Sequence, residues 1–143
     1  MRKNIIFVFL LLASFANAEF TQKSESIIQD SKTGFLWEDT NTSKTVLRTF
    51  KEASTYCSEL ELDGQKGWII PNLKELFTIV NTQAYNPTAF PQFKFTASDT
   101  YWTTRLYSRG ISNDAYTITF KTGSLYRRNM EDKFFVRCLK KSK

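Results

Sequence analysis

The sequence predicts an α+β domain: two helices packed on a small, mainly antiparallel sheet, joined by long loops. Three observations carry this prediction. Two helical stretches in the first half each begin with a capping signal. A run of alternating segments with a hairpin turn fills the last third. Between them lies a Pro- and Phe-rich connection without periodicity.

The first 18 residues stand apart. Arg2 and Lys3 precede the apolar run IIFVFLLLASFA, which ends at Ala16-Asn17-Ala18. A charged start, a short apolar core and a small-x-small end make a secretory signal peptide. The run is shorter than the about 20 residues that cross a bilayer. Cleavage near Ala18 is therefore expected, with a mature chain that starts at Glu19, keeps no transmembrane anchor and lies in the periplasm or outside the cell. No Cys lies near the site, so no lipid attachment is expected there. The remaining 143 − 18 = 125 residues suit one domain.

Residues 19–31 are polar apart from Ile27-Ile28, and are expected to form a lead-in strand or a partly ordered arm. The single domain proper is placed at 32–143. Asp30 to Gly34 carries turn chemistry, Phe35-Leu36-Trp37 a short strand, and Glu38 to Lys44 a loop composition. Thr49 and Glu52 stand at capping-box spacing. Phe50, Ala53, Cys57 and Leu60 follow on one helical face, and Asp63-Gly64 ends the helix. Trp68-Ile69-Ile70 is a short strand stopped by Pro71. Asn72 and Glu75 cap a second helix with Leu73, Leu76, Phe77 and Val80 inward and Asn81 as its stop.

The stretch Thr82 to Thr100 is a long packed loop, pinned by Phe90, Phe93 and Phe95. Tyr101 to Thr104 is a strand. Ala115 to Phe120 alternates, with Tyr116, Ile118 and Phe120 on one side and Thr117 and Thr119 on the other. Lys121-Thr122-Gly123 turns the chain into Ser124 to Arg127, and Phe134 to Leu139 closes the domain.

Composition removes several function classes. There is no histidine, which excludes Ser-His-Asp and Cys-His catalysis and the usual His-bearing zinc sites. The formal charge is +6, and loss of Arg2 and Lys3 brings it to +4. That is too mildly basic to call for a nucleic-acid partner. Two basic spots remain, Arg127-Arg128 and Lys140-Lys141-Lys143, suited to an anionic surface such as acidic polysaccharide or phospholipid headgroups. Cys57 and Cys138 allow one pairing. In an oxidising compartment that is a disulfide, and closing so long a loop is worth about 4–5 kcal/mol. The competing reading is a reactive or metal-binding pair, which the lack of His and the long separation disfavour.

The ordered set TGFLW, a helix ending in YC, GWIIPNLKEL, YWTT, an alternating strand with a KTG turn, and FFVRCLK resembles the Lcl C-terminal domain family over Lys32 to Lys140. The matching residues are Trp37, Gly67, Trp68, Pro71, Glu75, Leu76, Tyr101, Trp102, Val136, Arg137 and Cys138. The resemblance implies a fold like that of C-type lectins and formylglycine-generating enzymes. It also implies a secreted or periplasmic location and, in some members, adhesion to sulfated polysaccharide. Ile69 stands where the family usually has Arg, and Thr103-Thr104 replaces its serines. The sequence holds no collagen-like repeat, so a trimerising stalk is not expected.

For function, Trp37, Trp68 and Trp102 read first as shared core, since large aromatics dominate small cores, and second as sugar-stacking rings. Glu75 reads as half of a cap rather than a catalytic acid. Arg137 reads as an ion-pair or carbonyl donor, with a surface role left open by its alternation with Val136 and Cys138. The recognition element is placed at Leu106 to Asp114 and the adjoining hairpin. Its ligand-binding set is Arg105, Tyr107, Arg109, Asn113, Asp114, Lys121, Arg127 and Arg128, because guanidinium groups suit sulfate and carboxylate. Asn113-Asp114 matches part of a calcium-sugar motif whose Glu-Pro-Asn is missing, so no cofactor is expected and calcium is the weaker alternative.

The expected function is an exported, non-catalytic binding module for an anionic glycan or a cell-surface partner. One alternative is a structural or assembly protein of the envelope, with Phe90 to Phe95 as its patch. The other is an enzyme related to the formylglycine-generating fold, against which the structural reading of the cysteine pair speaks.

Overall fold

In the computed structural model, which describes residues 19–106 and 113–143, the stretch read as an arm is built into a sheet. Strand β1 (Phe20–Gln22) is its edge and β2 (Ile27–Asp30) the neighbour, paired antiparallel with Phe20 opposite Asp30. β3 (Leu36–Glu38) pairs with β2, and β7 (Leu139–Lys140) pairs with β3, giving the order β1-β2-β3-β7. Ile27 and Ile28 are both buried, in different clusters. Adjacent apolar residues on one strand mean cover on both faces. Of the two readings of this segment, the lead-in strand holds, as the edge strand β1 and the inner strand β2. Residues 1–18, read from the sequence as a signal peptide, lie outside the described residues.

The turn from β2 to β3 follows from Asp30. Its carboxylate accepts from the Lys32 N–H (2.8 Å) and the Thr33 hydroxyl (2.8 Å), and Gly34 takes the positive φ (73°) the turn needs. A short helix, α1 (Thr42–Thr45), sits where a loop was expected; the Ser43 hydroxyl donates to Thr40 O and Phe95 O. Helix α2 (Phe50–Glu59) carries the predicted capping box and ends earlier than Asp63-Gly64, with Leu60 as its C-cap.

The Trp68-Ile69-Ile70 segment is no strand. Ile69 alone bridges to Leu139, each N–H donating to the other's carbonyl at 2.8 Å, while Trp68 and Ile70 turn inward. Helix α3 (Leu73–Phe77) has the second capping box, but its inward face differs from the expected one: Phe77 is 51% exposed, and Ile79 is buried instead. The bonds that continue the chain, Thr78 N–H to Glu75 O and Ile79 N–H to Leu76 O, span three residues. A three-residue repeat puts positions 73, 76 and 79 on one side and swings Phe77 out.

The second sheet has the order β4-β5-β6, from β4 (Thr100–Leu106), β5 (Asp114–Thr119) and β6 (Ser124–Asn129). Its middle strand is buried on both sides: Ala115 packs with Trp102, Ile118 packs with Tyr101, and Thr117 is buried with its hydroxyl donated to Tyr126 O. All three tryptophans are fully buried, as the core reading requires, which removes them as stacking platforms. The disulfide Cys57–Cys138 ties α2 to the closing segment.

Arg137 is the ion-pair and carbonyl donor of its first reading. It is 0% exposed, so the surface role falls away. Val136, Arg137 and Cys138 lie outside any strand, so alternation does not apply to them. The guanidinium pairs with Asp39 (2.8 Å) and donates to Glu38 O, Phe95 O (2.9 Å) and the Thr96 hydroxyl (2.7 Å). Asp39 also accepts from the Lys94 and Phe95 N–H groups. The long loop is thus held by a buried charge as well as by its phenylalanines. Glu38 completes the network, accepting from the Tyr56 hydroxyl (2.6 Å) and the Cys138 N–H (3.0 Å). Burial, then the Glu38 charge, pushes the Tyr56 hydroxyl pKa well up, which keeps it a donor.

Candidate functional site

The predicted recognition set divides. Tyr107 and Arg109 lie outside the described residues, as does the side chain of Arg105. The rest sits on β5, β6 and the turn between them, with Asn113 just ahead of β5. Arg127 and Arg128 follow one another on a strand, so they point to opposite faces. Arg127 lies opposite Tyr116 in the register, and its Nε pairs with Asp114 at 3.0 Å. Arg128 turns the other way and stacks on Tyr126, 4.9 Å from the ring centroid, near Phe134. Asn113 donates to Glu131 at 3.4 Å, and Lys121 is exposed in the turn. The structure therefore brings Asp114 to Arg127 and separates the two arginines. Among the described residues no group of three or more His, Cys, Asp or Glu gathers to hold a metal.

The phenylalanine patch also reorganises. Phe93 is buried, and Phe90 packs on Phe20 with ring centroids 5.2 Å apart. Beside them a groove of about 590 Å³ is lined by Lys44, Asn81, Gln83 and Tyr85, whose ring is 89% exposed.

The basic tail meets a residue that sequence reasoning missed. Lys23, Lys140, Lys141 and Lys143 line a cleft of about 240 Å³, with Gln29 and Gln65 between them. Pairing explains the convergence. Lys23 follows edge strand β1, Gln29 lies on β2, and β7 brings Lys140 beside Leu36 of β3. The tail is fastened past the strand: Lys140 Nζ donates to Gln65 Oε1 (2.8 Å), Lys141 pairs with Glu75, and the Ser142 hydroxyl donates to Thr33 O (3.0 Å). Glu75 offsets one of the four charges. Among the described residues Lys23 and Lys143 have no ion-pair partner. No sequence signal marks Lys23, because only the β1–β2 pairing carries it to the tail.

A chemical inventory follows from this geometry. The cleft offers ammonium groups and amides, which bind anions and hydroxyls. The disulfide belongs to an oxidising compartment, and no described helix is long and apolar enough to cross a membrane. These features define a small, disulfide-closed α+β domain of a non-cytoplasmic protein. The model of the Lcl C-terminal domain matches residues 26–140, and the chain belongs to that family. The family is one of cell-surface or adhesin-type domains. No curated protein matches the chain.

Proposed function

We propose that this domain is an exported, non-catalytic binding module that recognises an anionic glycan, acting in the periplasm or outside the cell after cleavage near Ala18. One observation carries the reading: four lysines from opposite ends of the sequence surround one cleft, beside amide groups that suit hydroxyls. Sulfate or carboxylate groups spaced along a polymer could meet these charges in turn. The contact is a surface one, so its strength falls with salt. The reading needs no cofactor, calcium included.

The test is retention of the mature chain, Glu19 to Lys143, on immobilised heparin. The triple variant Lys23→Gln, Lys140→Gln, Lys143→Gln should elute at clearly lower salt than the parent. Lys141 is left in place because it serves Glu75. The pair Arg127→Gln and Arg128→Gln should shift elution less. Equal elution of parent and cleft variant rejects the cleft. Loss of retention with a calcium chelator rejects the cofactor-free reading.

A further inference from the structure

The connection from α1 to α2 turns two neighbouring aliphatic side chains to water: Val46 is 39% exposed and Leu47 48%. Apolar residues scattered singly over a surface are ordinary, but a pair in one short connection is a candidate contact. Anchors on both sides hold the pair out. Ser43 is fully buried; its hydroxyl donates to Phe95 O (3.1 Å), and its carbonyl accepts from the Tyr101 hydroxyl (2.7 Å). Arg48 and Phe134 exchange backbone bonds, Arg48 N–H to Phe134 O at 2.8 Å and Phe134 N–H to Arg48 O at 2.9 Å. Only residues 44–47 span these anchors, which leaves Val46 and Leu47 little slack to turn inward.

Polar groups around the pair are already spent within the chain. The Val46 N–H donates to Thr42 O (3.1 Å), and the Thr45 hydroxyl donates to Asn41 O (2.9 Å). A segment that leaves water needs such internal partners. The flanking side chains are cationic: Lys44, Arg48 and Lys51. Glu52 is the acid among them, and it is committed to the α2 cap. Lys44 also lines the groove that carries Lys94 and the 89% exposed Tyr85. A tyrosine, with an apolar body and a polar tip, suits a boundary between hydrocarbon and water.

We propose that this connection docks the domain on an anionic phospholipid leaflet. Val46 and Leu47 enter the boundary between headgroups and acyl chains, and Lys44, Arg48 and Lys51 meet the lipid phosphates. Two forces hold a peripheral protein on a charged membrane, apolar burial and headgroup attraction, and this stretch supplies both within a few residues. Two side chains are too few for a protein interface, which buries about 800 Å² a side, and suit a shallow, reversible contact. The proposal does not rest on the glycan reading, because none of these residues lines the lysine cleft. The cleft's lysines attract the same leaflet by charge alone, so the apolar pair is what a test must isolate.

Vesicle co-sedimentation tests it. The mature chain is spun with vesicles of phosphatidylcholine alone, or with about 30% phosphatidylglycerol, at about 150 mM salt. The parent should bind the anionic vesicles and leave the neutral ones largely bare. The double variant Val46→Ser, Leu47→Ser keeps every charge; it should weaken binding at least tenfold, with elution from heparin unchanged. Lys44→Gln with Lys51→Gln should weaken it by a smaller factor. All four positions are exposed, so both variants should melt as the parent does. Depth is read in bicelles that carry spin-labelled lipid: the ¹⁵N amide signals of Val46 and Leu47 should broaden more than those of Lys140 to Lys143. The triple lysine variant should elute early from heparin yet keep that broadening, so the two readings fail separately. The proposal is overturned if the serine variant binds anionic vesicles as tightly as the parent, if the tail amides broaden most, or if the parent binds neither vesicle. It is also overturned if the parent is a dimer and the serine variant is not, which would make the pair a self-interface.

Discussion

Two ion pairs of the same chemistry sit in opposite settings. Arg137 pairs with Asp39 at 2.8 Å with side chains 0% and 3% exposed; Arg127 pairs with Asp114 at 3.0 Å with side chains 48% and 21% exposed. The distances barely differ, so distance does not rank them. Burial does. Around Arg137 the charges are taken out of water, and further donors and acceptors meet Asp39 and the two terminal guanidinium nitrogens, while Nε has no partner among the described residues. Around Arg127 water competes for both partners. The interior pair holds the long loop against the closing segment, whereas the surface pair trims charge from a hairpin.

The comparison breaks most sharply at Arg137. Replacing it with Met leaves Asp39 buried without its partner, and should lower unfolding stability by about 3–5 kcal/mol in urea titration. A loss under about 1 kcal/mol would mean that the interior pair behaves like a surface one. The same segment is tied covalently through Cys138. The Cys57→Ala, Cys138→Ala double variant should lose about 2–5 kcal/mol, and intact mass of the parent protein should show both thiols oxidised.

Smaller effects come from the caps. Thr49→Ala should cost about 1 kcal/mol. The Thr49 N–H bond holds the Glu52 pKa below its ordinary 4.5, so the carboxylate's share of this stability is complete above that pKa and is lost as pH falls through the lowered one. The penalty of Glu52→Ala, which removes that carboxylate, measured by thermal melting at several pH values, should therefore shrink in acid. Arg127→Gln should cost least, about 0.2–1 kcal/mol, less again in high salt. A large loss there would show that Asp114 depends on its partner more than its exposure implies.

The three sets of cations show what was legible. Arg127-Arg128 and Lys140-Lys141-Lys143 look alike as text. On β6 the two-residue period parts the arginines to opposite faces, while β7 ends at Lys140 and the tail past it brings Lys141 and Lys143 to the same cleft as Lys140 and Lys23. For Arg137 the ion-pair and carbonyl-donor reading holds, and only the surface role left open by assumed alternation falls, because the chain there is not a strand. Phe77 was assigned inward on a 3.6-residue period that tightens to three after α3. At Phe77 the apolar pattern was correctly seen, and the wrong period was applied to it.

What the sequence alone determined are the features that act over a few residues or through a single chemical option: both capping boxes, the Asp30 turn, the KTG hairpin, the buried tryptophans and the one available disulfide. Neighbours in the chain or the absence of alternatives decide these. Only the tertiary structure decided which distant groups meet: Lys23 with the tail, Arg137 with Asp39, and Lys44 with Tyr85 along one groove. The physical reason is that strand pairing and burial, which sum over the whole chain, set these distances and the dielectric in which each charge works.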